Sequence, residues 1–434
     1  MKYRFLAGIL VLIVLAMVIG GALIWYKVAT FKNQLAQNLG HALGAQVEVA
    51  SLNLDFWKGE LHAAGIVLTN DRSDAPWDHG EISQATIRFH WRDLLAPTLP
   101  LELEVDSWRV NLHSSASAAQ EPPTAASDTT PPAAKSRIKV TQLSARDGEV
   151  EIDLAATRQV MLHGVAFESS NNGAEVWTTQ LRATSINAGP LEVGTSSVEI
   201  RGETDKITFS DLRMQCADGI ITGDGELGTG GLHETRAALK AVGVPVVMLV
   251  AVQWQMKLSG LADGALTYQG NDQGGQAQGQ ISIGQGKFNV LPFLGKMAAM
   301  VGLPDITGTE VDKATADFAW KDRALHLTNI DIRKNDVIRL AGQMDVDANS
   351  QVDGHLKVGL PDGTLAKWPQ LQSTVFSVPF EDYGWADVHL TGTPDHLQED
   401  LSSRVLAAGI QSGSGLINQG TQKAMDLLKG LMGP

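Results

Sequence analysis

The chain has 434 residues, 44% of them apolar and only 6% aromatic, with 44 glycines and a formal net charge of −14. The apolar fraction suffices for a sizeable core, and the glycine content suits strands joined by turns. The acidic balance and the lack of a Lys/Arg cluster exclude a nucleic-acid binder, which needs a basic stripe to displace counterions.

The first element is a membrane anchor. Phe5 to Tyr26 carries no charge, and at ~1.5 Å per residue its 22 residues reach roughly 33 Å, enough to cross a hydrocarbon core of about 30 Å. Trp25 and Tyr26 close the run, where amphipathic rings favour the interface. A cleaved leader has an apolar region of about 7–15 residues ending at a small-x-small site. This run is longer and ends in bulky rings, so the reading is an uncleaved anchor. Lys2 and Arg4 before it and Lys27 and Lys32 after it leave little charge bias to set its orientation. Residues 1–27 are therefore expected to form a stub and anchor, with the main body beyond the membrane.

Residues 28–44 read as a helix, with Leu35, Leu39, Ala42 and Leu43 at helical spacing and Gly44 as a stop. From Val47 the period changes to two. Ala85, Ile87, Phe89 and Trp91 alternate with polar residues, as do Leu101, Leu103 and Val105. Trp108, Val110 and Leu112 then carry the apolar face one residue out of phase, which predicts a bulge or kink near Ser107. Residues 114–136 are rich in Ser, Ala, Thr and Pro and read as a linker or exposed insertion closing the first β region, 28–113.

Alternation resumes in the central region, 137–239, with Val150, Ile152 and Leu154, then in Val198–Ile200, Ile207–Phe209 and Leu212–Cys216. Cys216 is the one cysteine, so no intramolecular disulfide is available. Its alternating flanks place it as a small buried strand residue. Strands over 265–268, 277–283, 314–319, 325–327, 330–332, 337–341, 352–360 and 386–390 fill a third region, 240–395. Short helices are expected over Pro245–Leu258 and Asn289–Val301, and an amphipathic helical tail over 396–434. Helix-length segments between strands are few, so repeated βαβ units are excluded.

Motifs that resemble chemistry have simpler readings. Gly223-Asp224-Gly225-Glu226-Leu227-Gly228 matches a dinucleotide fingerprint, but its acids would repel phosphate and no helix follows; a β-turn is expected. Asp345, Asp347 and Asn349 begin like a calcium loop. Ser350 takes the required glycine position and Leu356 the required glutamate, so a strand end with solvated acids is expected. No His-Glu-x-x-His or Gly-x-Ser-x-Gly pattern is present. The sequence therefore predicts no catalytic residues, no metal site and no cofactor.

Several stretches carry a family resemblance. They are Leu258-Ser259-Gly260-Leu261 with Leu266-Thr267-Tyr268-Gln269-Gly270, Gly284 to Pro292, Ala316-Asp317-Phe318 with Leu325 to Ile330, Leu340 to Asp347, and Leu390 to Pro394. With the single anchor followed by Leu43 to Val49 and Leu61 to Asn70, this pattern resembles the AsmA-like envelope proteins of bacteria. The resemblance implies periplasmic exposure, inner-membrane anchoring, and a role in outer-membrane biogenesis or lipid homeostasis. It also implies a groove-shaped β-fold like that of bridge-type lipid transfer proteins.

The fold expected is mainly β: one N-terminal transmembrane helix, then an elongated, curled antiparallel β-sheet groove with a few short helices and a C-terminal amphipathic helix. The physical case is that alternating strands make one apolar face, which must be covered. Each covered methylene is worth ~0.8 kcal/mol, so a sixteen-carbon acyl chain gains on the order of 10 kcal/mol on a continuous lining. The lining residues expected are Ala85, Ile87, Phe89, Trp91, Leu101, Leu103, Val105, Val150, Ile152, Leu154, Leu325, Leu327, Val352, Leu356 and Val358; Phe5, Trp25 and Tyr26 would hold the anchor. The expected partners are phospholipid acyl chains, the inner membrane and other envelope proteins. The competing reading is a non-catalytic tethered scaffold that never holds lipid.

Overall fold

The structure is a computed structural model that describes residues 45–434 apart from 56, 71–76, 91, 93–98, 114–137, 156–157, 172–175, 190, 230–232, 251–254, 256–257, 288–309, 394–395 and 413–434. The anchor at 5–26 with Phe5, Trp25 and Tyr26, the 28–44 helix, the 114–136 insertion, the Asn289–Val301 helix, Trp91 and the tail beyond Ser412 lie outside the described residues. Among the described residues, no helix is long and apolar enough to cross a membrane.

The fold is mainly β, with few helices, and divides into two compact units at Gln215/Cys216. The boundary expected at residue 240 falls inside a strand, Thr235–Pro245.

The first unit begins with β1 (Gln46–Asp55), β2 (Glu60–Thr69), β3 (Trp77–Arg88) and β4 (Leu99–His113), paired antiparallel in sequence order. β5 (Ile138–Ala155) then lies parallel to β4. This corrects the expectation of a purely antiparallel sheet. A parallel return needs a crossover of a dozen or more residues, and the stretch between His113 and Ile138 supplies that length. β6 (Arg158–Asn171) pairs with β5 and is itself shared: β7 (Trp177–Ala183) takes its C-terminal half and β8 (Ser185–Ala188) its N-terminal half. β9 (Leu191–Val193) follows β8, and β10 (Ser196–Gly202) joins β7 to β11 (Lys206–Cys216).

The phase slip read from the sequence is a kink shared by five strands. Residues on the apolar face are three apart, not two, at one level: Val49 and Leu52, Ala63 and Ile66, Ile82 and Ala85, Val105 and Trp108, Ala145 and Gly148. The residues stepped over include Gly65, Ser107 and Asp147, at φ +62°, +52° and +53°. The side chain of Ser107 donates to Asp147 Oδ2 at 3.3 Å. Because every strand slips together, the apolar face continues unbroken across the kink.

The second unit is antiparallel throughout its described strands: β12 (Gly219–Gly228), β13 (Thr235–Pro245), β14 (Leu261–Asn271), β15 (Gly274–Lys287), β16 (Glu310–Lys321), β17 (Ala324–Lys334), β18 (Ile338–Val346) and β19 (Val352–Pro361). β20 (Val378–Phe380), β21 (Tyr383–Thr393) and β22 (His396–Glu399) complete it, β21 pairing with β19. The expected turn at Gly223–Gly228 is instead part of β12. A Cβ on Gly223 would lie 2.4 Å from Ala238 O, so the glycine serves a close cross-strand approach. The acids at 345 and 347 do end a strand: Asp347 Oδ1 accepts from the backbone N–H of Asn349 and Gln351, closing a turn.

Described helices are short. α1 (Val246–Leu249) opens the expected Pro245–Leu258 segment. α2 (Asp362–Leu365) and α3 (Pro369–Thr374) are additional to the sequence expectation; Pro369 suits a helix start because its missing N–H would be unpaired there anyway. α4 (Leu401–Ser412) starts the expected C-terminal helix. Glu399 Oε2 accepts from the Ser402 N–H at 2.8 Å, and Leu401, Val405 and Ala408 form its buried stripe.

Candidate functional site

Backbone pairing sorts the side chains of the second unit onto two chemically distinct faces. One cross-strand row runs Gly223, Leu239, Leu266, Gly279, Phe318, Leu327, Met344, Gly354, Leu390. A second runs Val244, Ala262, Ile283, Ala314, Ile332, Leu340, Val358, Ala386. Neither contains a polar side chain. The intervening positions carry the opposite chemistry: Lys240, Gln278, Gln280, Asp317, His326, Asp345, His355 and His389. Alternation at period two therefore becomes a wide apolar face backed by a wet one.

Cover on that face changes along the strand order. At β18–β21 it is sealed. Leu340, Leu356, Val358, Val388 and Leu390 join Leu365 of α2, Leu371 of α3, Phe376, and Leu401 and Val405 of α4 in one buried cluster. Gly384 permits this closure, since a Cβ there would lie 2.4 Å from Leu365 Cδ1. At β13–β17, Leu239, Leu266, Ile281, Phe318 and Leu327 are only half-buried. Among the described residues, the cluster under α2–α4 takes in β18–β21 and Ile330 of β17, with Leu327 and Ile332 packed at its margin, and a smaller cluster around Val246, Ala262, Ile283 and Ala314 covers one edge.

The first unit repeats the pattern. One row runs Val49, Ile66, Ile82, Trp108, Gly148, Val165, and another runs Leu52, Ala63, Ala85, Val105, Ala145, Phe167. Trp108 lies flat over Gly148, where a Cβ would fall 2.2 Å from the indole Cε2, and meets Phe167 edge-on at 5.9 Å. The opposite face carries an ion-pair ladder: Arg88 reaches Glu60 at 3.1 Å and Glu104 at 2.8 Å, and Arg146 also holds Glu104. These surface pairs contribute at most about 1 kcal/mol each.

The expected lining residues fall into two sets. In the first unit, Ala85 and Val105 are buried, while Ile87, Leu101, Leu103, Val150 and Ile152 are half-buried on one apolar face. Phe89 lies just past β3, its N–H bonded to Gly59 O at 3.0 Å, and Leu154 lies within β5. In the second unit, Leu325 and Leu327 are half-buried on the apolar face. Val352, Leu356 and Val358 share that face but are covered by protein, at 5%, 5% and 0% exposure, so they are core and not open lining. Sequence reading omitted Leu239, Leu266, Ile281, Phe318 and Met344, although most lie in stretches it assigned to strands. Glycines at 264, 279 and 342 dilute their alternation, and only cross-strand pairing shows the gaps filled by neighbours.

Other features are subordinate. A shallow depression of about 450 Å³ lies over β14–β17, where Thr267, Gln278, Gln280, Asp317 and His326 line it together with Leu266 and Phe318. Cys216 is buried, and that burial pushes its thiol pKa up, away from thiolate chemistry. Burial also pushes the Asp331 carboxyl up, but hydrogen bonds from Arg339 (3.0 Å) and Arg333 outweigh it and hold the group below its ordinary value. No protein-family model matches the chain, and a search of curated proteins gave no significant match.

Proposed function

We propose that the protein is a non-catalytic, AsmA-like component of the bacterial envelope, anchored in the inner membrane by residues 5–26. Its periplasmic β-body, an elongated curled groove, binds or transfers phospholipid in outer-membrane biogenesis or lipid homeostasis. The observation that carries this reading is the mismatch between apolar face and cover. Rows of side chains without a polar member cross β12–β21, while the buried clusters that include the described helices take in β18–β21 with Ile330 of β17 and one edge around Val246, leaving Leu239, Leu266 and Phe318 half-buried. A half-covered surface of this kind is costly in water, and acyl chains are the envelope ligand that fits a lining with no polar contacts. The helix-capped end would close one end of the groove.

The test uses the full-length chain in membranes, with a photoreactive amino acid placed singly at Ile87, Leu103, Leu266, Leu327 or Leu390. After irradiation, intact mass spectrometry reads covalent phospholipid adducts. Adducts are expected at the first four positions and not at Leu390. Absence of adducts at all of Ile87, Leu103, Leu266 and Leu327 would overturn lipid binding and leave the tethered scaffold.

A further inference from the structure

On the polar face, two strands bring together a donor set unlike its surroundings. His355 of β19 and His389 of β21 are direct cross-strand partners, their rings stacked at 4.7 Å with planes 7° apart. Asp353, two residues before His355, points from the same face. Its Oδ1 lies 2.8 Å from His389 Nε2 and 3.6 Å from His355 Nε2. One ligand atom from each of the three lies within 4.8 Å of the others. All three side chains are exposed, so an ion can enter from solvent without any opening of the fold.

We infer that Asp353, His355 and His389 form a binding site for a divalent transition-metal cation of the zinc class. Two imidazole nitrogens and one carboxylate oxygen select zinc, nickel or copper over magnesium and calcium, which take oxygen ligands. In a tetrahedral zinc site with bonds near 2.0–2.1 Å, neighbouring donors stand about 3.3 Å apart. The present spacing brackets that value, so side-chain torsions alone bring the three donors onto one ion. Water fills the fourth position.

Rigidity distinguishes this set from a chance surface cluster. The residues flanking the donors, Val352, Gly354, Leu356, Val388 and Leu390, are all buried; Leu356, Val388 and Leu390 belong to the sealed core, and Val388 and Leu390 are 2% and 0% exposed. The two strands therefore cannot shift without breaking that core, and little ordering entropy is lost on binding. Neighbouring charge is balanced or favourable: Lys357 stands opposite Asp387, and Asp345 stands opposite Asp353. Asp345 is itself paired to His326 at 2.7 Å, which supplies an internal control of like chemistry one strand away. The site sits on an open sheet surface, which suits metal binding, or bridging to another protein, and not hydrolysis of a bound substrate.

The experiment is isothermal titration of the untagged full-length chain with Zn²⁺, and separately with Mg²⁺. Saturable one-to-one Zn²⁺ binding is expected, with no Mg²⁺ binding at the same concentrations. His355→Ala and His389→Ala should each weaken Zn²⁺ by about ten-fold or more, while His326→Ala should leave it within two-fold. Far-ultraviolet circular dichroism checks that each variant keeps its strands. Wild-type binding no tighter than that of the His355→Ala/His389→Ala double variant would overturn the assignment, as would an equal loss in His326→Ala.

Discussion

Leu239 and Leu390 occupy the same cross-strand row, one on β13 and the other on β21, yet the structure assigns them different surroundings. Leu390 is fully buried beneath α2–α4. Replacing it with alanine removes its transfer free energy and leaves a cavity that the helices cannot collapse into, a cost of about 2–5 kcal/mol. At roughly 2–4 °C per kcal/mol for a unit of this size, a central value of ~3 kcal/mol lowers the melting temperature by about 6–12 °C. Leu239 is half-buried and belongs to none of the buried clusters. Its truncation forfeits about half of the ~0.8 kcal/mol per methylene and leaves no enclosed void, so about 1 kcal/mol and a shift of ~2–4 °C are expected. Scanning calorimetry of both variants reads the global effect. Hydrogen exchange of the peptides covering β13 and β21 reads the local one. Equal destabilisation of ~3 kcal/mol at both positions would show the face closed at β13 and refute the reasoning behind an open apolar surface.

Three further predictions follow from the packing. Gly148→Val drives a branched side chain into the Trp108 ring, so a loss of about 1–3 kcal/mol and a shifted tryptophan emission spectrum are expected in the first unit. Ser107→Val places a β-branched residue at φ +52° and should cost about 1–2 kcal/mol, whereas Ser107→Gly, which tolerates that backbone, should be close to neutral; urea midpoints compare the two. Asp331 has a folded-state pKa below its ordinary value near 3.8. Its contribution is thus complete above that pH and is lost as pH falls through the lower folded value. Asp331→Asn should be less stable than the parent at pH 7, with the gap narrowing below about pH 4; an unchanged gap at pH 3 would contradict the ion-pair account.

Much of this architecture was legible in the chain because alternation is a local property. Spacing alone puts Ala85 with Ile87 on one side of their strand and Leu103 with Val105 on one side of theirs, and the slip at Trp108 marks the kink at Ser107. The mainly β character follows from the same signal. Other features depend on partners distant in sequence. The parallel pairing of β4 with β5 needed a tertiary choice that the length of the 114–137 connection permits but does not impose. The strand identity of Gly223–Gly228 was hidden because glycines read locally as turns, while their role is to accept the backbone at Ala238 across β13.

By itself the sequence determined which residues could share an apolar face, since side-chain direction along a strand follows from backbone geometry and needs no neighbour. Tertiary structure alone decided how much of that face the chain covers. Leu356 and Val358 alternate as cleanly as Leu325 and Leu327, yet the former are buried in one cluster with α2–α4 and the latter stay half-buried. It alone also placed His355 beside His389, because register between β19 and β21 is fixed by the buried side chains behind them, and no spacing along one strand encodes it.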